Sequence, residues 1–249
     1  SLKKLISKKT KAIVCVHYGG IPCDMSEIRK LAKKYKVKVI EDAAQALGAE
    51  YNNKKIGDIS DFTTFSFQAI KHITTGDGGM LCIKDSKLVD VAKRMRWFGI
   101  DRKKKQLGVW ENDVKEIGYK YQLTDLGASI GYQGLLDFKK ILSHRIKIND
   151  IYLKNLSKNP NIICIHDHDR KKKPAAWLFT ILTKKKDYLQ KKLREKNIET
   201  NQVHFRNDKY SIFKKFTKNQ NYKNMDKIED QYLVLQIHTN VSKKDAEYL

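Results

Sequence analysis

The chain has 249 residues, of which 41% are apolar and only three are prolines. This composition excludes a disordered or collagen-like protein and is sufficient for a buried core. No run of 18 apolar residues occurs, and the N-terminal residues contain no apolar stretch of signal-peptide length. We therefore predict a cytoplasmic protein that does not span a membrane.

The formal net charge of +23 arises from 51 lysine and arginine residues against 28 aspartate and glutamate residues. Such a charge attracts polyanions, including nucleic acid. Only eight of the 51 are arginine, and the lysines are dispersed along the whole chain. Proteins that read nucleic acid concentrate arginine and aromatic residues on one face. We attribute the charge to compositional bias and do not predict specific nucleic-acid binding.

The four cysteines, Cys15, Cys23, Cys82 and Cys164, form no C-x-x-C pair. This spacing argues against a zinc site and against a dense disulfide framework, so we predict reduced and mostly buried thiols. Histidine and aspartate alternate over residues 166–169, but no third ligand is evident, and we predict no metal site.

The first half of the chain alternates short apolar runs with amphipathic segments, which is typical of a parallel α/β layer. Asp24 or Ser26 is the expected N-cap of the first amphipathic helix. We predict strands at 12–16, 37–40, 62–67 and 79–83, and helices at 24–35 and 88–97.

A long amphipathic helix is predicted from Thr124 to Leu156, and its glycines at 127, 131 and 134 indicate close packing. Beyond it, a small α+β unit is predicted. Because the chain starts with Ser1 and ends within the opening of a helix, we expect a fragment. The predicted elements of the α+β unit are strands at 162–165, 177–182 and 198–203 and a helix at 186–196.

The stretch Glu41–Ala46 lies where a buried strand ends and a turn of small residues begins. In open parallel sheets, ligands bind beyond the carboxyl ends of the strands. Asp42 could hold a protonated heterocycle nitrogen there, and the amide of Gln45 could donate to an adjacent oxygen. The alternative is that Asp42 is a helix cap or a surface charge.

In a second stretch, Thr63–Gly79, Lys71 lies in a predicted loop that is rich in hydroxyl groups and glycine. A lysine amine that is partly desolvated loses its proton more easily and becomes a nucleophile. Ser66, Thr74 and Thr75 offer hydroxyl groups for a phosphate. Considered alone, a single lysine among 43 is most simply a solvated surface group.

Together with further motifs, these stretches resemble the DegT/DnrJ/EryC1/StrS family of sugar aminotransferases that depend on pyridoxal phosphate. The resemblance implies a homodimer with an α/β fold of the PLP-dependent transferase type (fold type I). Residues 1–134 would be the C-terminal part of an incomplete large domain with a mostly parallel sheet, and residues 135–249 the small α+β domain. The matching motifs are VHYGGIPCDM (16–25), EDAAQA (41–46), SF (66–67), GDGG (76–79), RWFGIDR (96–102), EIGYKYQLTD (116–125) and VHFRND (203–208).

The resemblance also implies a role for each matching residue. Lys71 is the catalytic lysine that bonds to the cofactor, Asp42 pairs with its pyridine nitrogen, and Gln45 lies near its 3-oxygen. Ser66 contacts the cofactor phosphate. Lys120 stands where the family usually has an asparagine that reaches the partner subunit's phosphate, and a lysine can serve the same anion.

Four further residues are candidates for contact with the sugar nucleotide. His17 and Tyr18 lie at a strand end, although a packed histidine is an equal alternative. His204 and Arg206 match a motif of the small domain and are otherwise polar groups of a loop.

The implied reaction transfers an amino group, from glutamate, to a nucleotide-linked keto-deoxysugar for surface polysaccharide or O-antigen synthesis. Relatives that dehydrate a deoxysugar carry histidine in place of the lysine, so Lys71 favours the transaminase. The alternative is a truncated or regulatory relative that keeps the fold without catalysis, because an upstream phosphate loop is missing from these residues. The sugar, the nucleotide and the carbon that is aminated stay open.

Overall fold

The computed structural model describes residues 2–110, 113–166, 169–218 and 220–249. The chain forms two compact units, Ser1–Lys140 with Lys171–Pro174, and Ile141–Arg170 with Ala175–Leu249. The domain boundary that we predict after residue 134 stays a prediction. Within the described ranges, no helix has both the length and the apolar character needed to cross a membrane.

Strands and helices alternate in the first half of the chain, as predicted. The elements up to residue 136 are α1 (Leu2–Leu5), β1 (Ala12–Val16), α2 (Met25–Tyr35), β2 (Lys38–Asp42), β3 (Glu50–Tyr51), β4 (Lys54–Lys55), β5 (Phe62–Ser66), β6 (Gly79–Ile83), α3 (Val89–Met95), α4 (Arg102–Gln106) and α5 (Asp125–Leu136). The later elements are α6 (Phe138–Leu156), β7 (Ile163–Cys164), β8 (Lys172–Lys173), β9 (Phe179–Leu182), α7 (Lys186–Glu195), β10 (Thr200–Asn201), α8 (Lys214–Thr217), α9 (Lys223–Ile228), β11 (Tyr232–Leu235) and α10 (Lys243–Tyr248).

The main sheet of the first unit has the strand order β1-β2-β5-β6. β2 pairs in parallel with both β1 and β5, whereas β6 is antiparallel to β5. In this register Asp42 lies beside Val16 on one side and Thr64 on the other. The carboxyl ends of three strands therefore meet at one edge of the sheet, where open α/β sheets bind ligands. A smaller sheet has the order β4-β3-β8.

Helix α2 begins at the cap that the sequence offers. Of the two candidates, Asp24 is the N-cap, because its carboxylate accepts a hydrogen bond from the backbone N–H of Glu27 at 3.3 Å. The helix buries Met25 and Ala32, and its C-cap residue Lys36 is left-handed, with φ +53°. The apolar spacing thus produces the amphipathic helix that it predicts.

The predicted single helix from Thr124 to Leu156 is wrong, because α5 ends at Leu136 and α6 begins at Phe138. The interruption is Asp137, with φ −87° and ψ −4°. These angles are close enough to helical values that the apolar periodicity continues on both sides. The pattern therefore contains no signal for the break.

The glycines of α5 allow close packing against the loop that follows Lys71, as predicted. A Cβ atom at Gly131 would lie 2.6 Å from Cγ2 of Thr75, and one at Gly134 would lie 3.2 Å from Cβ of Ile73. Real Cβ atoms essentially never approach to 2.6 Å, and 3.2 Å is tighter than most real Cβ contacts, so larger residues at these positions would require the loop to shift. Helix α5 therefore supports the loop from behind.

The second unit contains an antiparallel sheet with the order β10-β11-β9-β7. The predicted strands are present but shorter, since the end residues lack ladder partners. All residues of β9 and β11 are buried, and α6 packs against them. The buried apolar core comprises Ile148, Tyr152, Leu156, Ala176, Phe179, Ile181, Leu233, Leu235, Ile237 and Ala246.

Truncation of this core is expected to destabilise the second unit. Leu233 is fully buried in β11, so Leu233→Ala removes buried methyl groups and leaves a cavity. We expect a loss of about 2–5 kcal/mol in the free energy of unfolding, measured by urea denaturation. Ile163→Ala is the control, because Ile163 is 60% exposed. Equal stability of the two variants would contradict the assignment of the core.

Candidate active site

Lys71 lies in the loop between β5 and β6, and backbone hydrogen bonds hold this loop. The N–H of Phe67 donates to the carbonyl of Gly78 at 2.8 Å, and the N–H of Thr75 donates to the carbonyl of Phe67 at 2.9 Å. The N–H of Lys71 donates to the carbonyl of Gln68, also at 2.9 Å. The lysine therefore projects from a closed turn.

The amine of Lys71 is partly buried, and desolvation lowers its pKa. The negative charge of Asp42 acts in the opposite direction and raises it. This interaction means that the structure brings together the two residues that the sequence singles out. An amine with a lowered pKa releases its proton more readily and is a better nucleophile.

Asp42 is the last residue of β2, at the carboxyl edge of the sheet. One carboxylate oxygen accepts a hydrogen bond from the backbone N–H of Ala44 at 3.0 Å. That bond fixes the orientation of the side chain. A fixed carboxylate at this position can hold a cationic nitrogen.

Gln45 follows in the turn and is buried. Its amide oxygen accepts a hydrogen bond from the backbone N–H of Gly19 at 2.6 Å. Gly19 adopts φ +64°, a conformation that favours glycine. The bond to Gly19 fixes the amide with its oxygen toward Gly19. The NH₂ group therefore points away from Gly19 and acts as a donor.

The hydroxyl groups of the loop have partners within the loop itself. Ser66 Oγ accepts from the N–H of Gln68 at 3.3 Å. Thr74 donates to the carbonyl of Phe67 at 3.2 Å, and Thr75 donates to that of Asp77 at 3.0 Å. Both threonines therefore stabilise the loop, and the phosphate contact of Ser66 stays a prediction.

His17 has a different environment from the one predicted for a substrate contact. The ring is fully buried, and its Nδ1 accepts a hydrogen bond from the backbone N–H of Cys23 at 3.1 Å. Its Nε2 therefore carries the proton and donates to Glu41 at 2.8 Å. Both nitrogens are used inside the fold, which leaves neither for a sugar. We assign His17 to the packing alternative.

Glu41 is the residue that sequence reasoning missed at this site. It is fully buried, and it also accepts a hydrogen bond from the hydroxyl of Thr63 at 3.3 Å. A buried carboxylate requires such partners. The signal in the sequence is an acidic residue two positions after Val39, on the same face of the strand as that buried apolar side chain, which predicts a buried partner without identifying it.

Tyr18 and Lys120 lie on the surface of the first unit. Tyr18 is 38% exposed and lies two residues after the end of β1. Lys120 is exposed and pairs with Trp97 in an isolated β-bridge. Their predicted contacts, with the sugar and with a cofactor phosphate, stay predictions.

Arg206 and His204 belong to the second unit. Arg206 is buried, and its guanidinium binds Asp208 at 2.7 Å, Asp226 at 2.6 Å and Glu229 at 3.2 Å. The hydrogen bonds to Asp208 and, next in size, to Asp226 raise the pKa of Arg206. Because its guanidinium binds three carboxylates, we assign Arg206 to stabilising its own loop and not to binding a substrate anion. His204 is exposed and stacks on Trp177, with 6.2 Å between ring centroids.

Removal of Arg206 is expected to lower the thermal stability of the second unit. Arg206 lowers the pKa of the Asp208 carboxyl, so this pair stabilises the fold above the ordinary aspartate pKa of about 4. The contribution is lost as the pH falls through the lowered pKa. Arg206→Ala should therefore have a lower melting temperature at pH 7, and the deficit should shrink on acidification.

Calorimetry at several pH values measures this effect, and Arg194→Ala is the matched control on exposed helix α7. A melting temperature of Arg206→Ala equal to that of the control at pH 7 would contradict the assigned role of Arg206.

The predicted absence of a metal site concerns residues 166–169, of which Asp167 and His168 lie outside the described residues. Among the residues that are described, no group of three histidine, cysteine, aspartate or glutamate side chains is arranged to hold a metal ion.

Among the curated proteins that resemble this chain, two illustrate the similarity. The chain is 37% identical to GDP-perosamine synthase of Escherichia coli O157:H7, with 82% of this chain and 54% of that protein covered. It is 34% identical to the UDP-4-amino-4,6-dideoxy-N-acetyl-beta-L-altrosamine transaminase of Campylobacter jejuni, with 96% of this chain and 63% of that protein covered. The chain thus spans less than two thirds of these relatives.

The fold is also that of solved structures. The crystal structure of AtS13 from Actinomadura melliaura superimposes with a TM-score of 0.93 at 28% identity, covering 99% of this chain and 67% of that one. The expected fold of PLP-dependent transferases is thereby confirmed. A family model for DegT/DnrJ/EryC1/StrS aminotransferases matches residues 1–249. The chain therefore belongs to the DegT/DnrJ/EryC1/StrS aminotransferase family.

Proposed function

We propose that the protein to which this chain belongs is a pyridoxal-phosphate-dependent aminotransferase acting on a nucleotide-linked keto-deoxysugar. The observation that carries this proposal is the interaction of a partly desolvated Lys71 with Asp42 at the carboxyl edge of the sheet. The names of both curated relatives support a nucleotide sugar as substrate.

The polar groups at this edge fit pyridoxal phosphate. A carboxylate held by the N–H of Ala44 suits a protonated pyridine nitrogen, and the oriented amide of Gln45 suits the ring oxygen. Lys71 supplies the amine that bonds to the cofactor. Ser66, and Lys120 of a partner subunit, are proposed to contact the phosphate. When bound, the cofactor supplies an electron sink.

Each residue then has a distinct task in the transfer. Asp42 would hold a proton on the ring nitrogen of the bound cofactor. The free amine of Lys71 would take a proton from the substrate carbon and return it, which its lowered pKa favours. Gln45 keeps its position through Gly19. The proposed donor is glutamate, and the proposed product is an amino sugar for surface polysaccharide or O-antigen.

We propose a homodimer in the cytoplasm as the working form. Apolar side chains of α5 are exposed in this chain, including Leu126 at 77% and Tyr132 at 65%, and such a surface is typical of an interface. The four cysteines are free thiols, which is typical of a reducing compartment.

The absorbance spectrum with added pyridoxal phosphate tests the cofactor assignment. We expect a visible band in the wild type and in Lys87→Ala, an exposed lysine variant, but not in Lys71→Ala. Glutamate should then shift the band. The same test on the full reading frame separates a missing part of the pocket from a wrong proposal. Absence of a Lys71-dependent band there would favour the non-catalytic alternative.

A further inference from the structure

His17 holds both ends of the turn that joins β1 to α2. Its backbone N–H donates to the carbonyl of Asp42 at 3.1 Å, which attaches the start of the turn to the end of β2. Its ring Nδ1 accepts the N–H of Cys23 at 3.1 Å, near the other end of the turn. Because His17 is fully buried, water does not compete for these bonds. The shape of the turn therefore depends on this residue.

Glu41 determines which ring nitrogen of His17 accepts the bond from Cys23. A neutral imidazole carries its proton on one nitrogen and accepts through the other, whereas an ionised carboxylate only accepts. Since the carboxylate of Glu41 lies 2.8 Å from Nε2, it keeps the proton on that nitrogen. Nδ1 is thereby left as the acceptor for Cys23. Thr63 donates to the other carboxylate oxygen at 3.3 Å and holds Glu41 in place.

The same turn carries the contact that orients Gln45. Between positions 17 and 23, the N–H of Gly19 donates to the amide oxygen of Gln45 at 2.6 Å. Gly19 has φ +64°, and a Cβ atom added there would meet no atom of the described residues within 4 Å. The position of this N–H is therefore set by the course of the backbone and not by close packing around it. A change in the closure of the turn would displace the donor that holds Gln45.

We propose that Glu41 and His17 are positioning residues for Gln45, which act through the tautomer of the His17 ring and the turn over residues 17–23. Both side chains are fully buried, and both ring nitrogens of His17 have partners inside the fold, so neither residue is available to a ligand. Glu41 and Asp42 are neighbours in β2 and point to opposite faces of the sheet. The proposal rests on the proposed function, in which the amide of Gln45 lies beside the ring oxygen of the cofactor.

Variants of Glu41 test this role through the affinity for pyridoxal phosphate, measured by fluorescence titration of the full-length protein. Glu41→Leu removes the acceptor at Nε2 and should weaken binding about three- to tenfold, the effect of losing one oriented hydrogen bond. Glu41→Gln keeps an amide oxygen that can accept from Nε2, and should bind like the wild type. Tyr152→Phe is the control, because it removes a hydrogen bond of another buried side chain, to the carbonyl of Gln236 at 3.1 Å in the second unit. Equal affinity of Glu41→Leu and Tyr152→Phe would overturn the proposal.

A double-mutant cycle identifies the route by which Glu41 affects binding. Gln45→Ala alone should weaken the binding of pyridoxal phosphate by a similar factor, because the oriented amide is lost. If Glu41 acts through Gln45, Glu41→Leu should cause no further loss in the Gln45→Ala background. A loss in the double variant equal to the product of the two single losses would mean that Glu41 acts independently of Gln45, which contradicts the proposal.

Hydrogen–deuterium exchange measured by mass spectrometry reports on the turn without any cofactor. The N–H groups of Gly19 and Cys23 are hydrogen-bonded, so they should exchange slowly in the full-length wild type. In Glu41→Leu we expect faster exchange in peptides that cover residues 17–23 and unchanged exchange in peptides that cover β9 and β11. Unchanged exchange over residues 17–23 would exclude a role of Glu41 in closing the turn.

A second variant covers the case in which Glu41→Leu does not fold. The combination of His17→Phe with Glu41→Leu removes both partners of the buried pair, which is tolerated better than one unpaired polar group. It should show the same weaker binding and the same faster exchange. Failure of the wild type to bind pyridoxal phosphate would count against the proposed function, whereas the exchange of residues 17–23 would still test the link from Glu41 to the turn.

Discussion

Replacement of Lys71 by alanine is expected to reduce the amino-transfer rate by roughly a thousandfold or more, because the covalent bond to the cofactor and the proton carrier are lost together. The measurement is the rate of amino transfer from glutamate, under single-turnover and steady-state conditions, by the protein that the full reading frame encodes. Lys71→Arg should be equally inactive, because a guanidinium retains the positive charge but does not give up its proton at neutral pH.

The matched control is Lys87→Ala, because Lys87 is exposed and its side chain lies outside the loop of Lys71. Near-native rates in the control, with unchanged circular dichroism in all three variants, would assign the loss to the chemistry of Lys71. Turnover in Lys71→Ala within tenfold of the wild type would contradict its role as the catalytic lysine.

Asp42→Asn should cause the second largest loss, about 100- to 1,000-fold in kcat. The substitution preserves the shape of the side chain, and an amide oxygen can still accept the hydrogen bond from Ala44. Only the charge that would keep a ring nitrogen protonated is removed. Since Asp42 raises the pKa of Lys71, its neutralisation should also lower that pKa further, and the acidic limb of the pH–rate profile should move to lower pH.

Asp85→Asn is a close structural control for this variant. Asp85 makes the same local bond, to the backbone N–H of the residue two positions later, at the same distance of 3.0 Å. A loss of activity in both variants would indicate damage to turns in general. An Asp42→Asn enzyme with native kcat would exclude an essential charge at this position.

Local patterns were sufficient for the parts of this protein that depend on neighbouring residues. Apolar alternation predicted β1 and β2, helical spacing predicted α2, and small residues after Glu41 located the strand end with Asp42 and Gln45. The resemblance of the motifs predicted the family correctly. These features repeat within a few residues, so a single sequence contains them.

The tertiary structure decided which polar side chains are available. It placed His17 against Glu41, 24 positions away, and enclosed Arg206 among carboxylates up to 23 positions away. It also interrupted the helix at Asp137. Such contacts depend on how distant segments pack and on the need of buried charges for partners. The sequence alone determined which chemical groups this chain contains, whereas packing determined which of them remain accessible to a ligand.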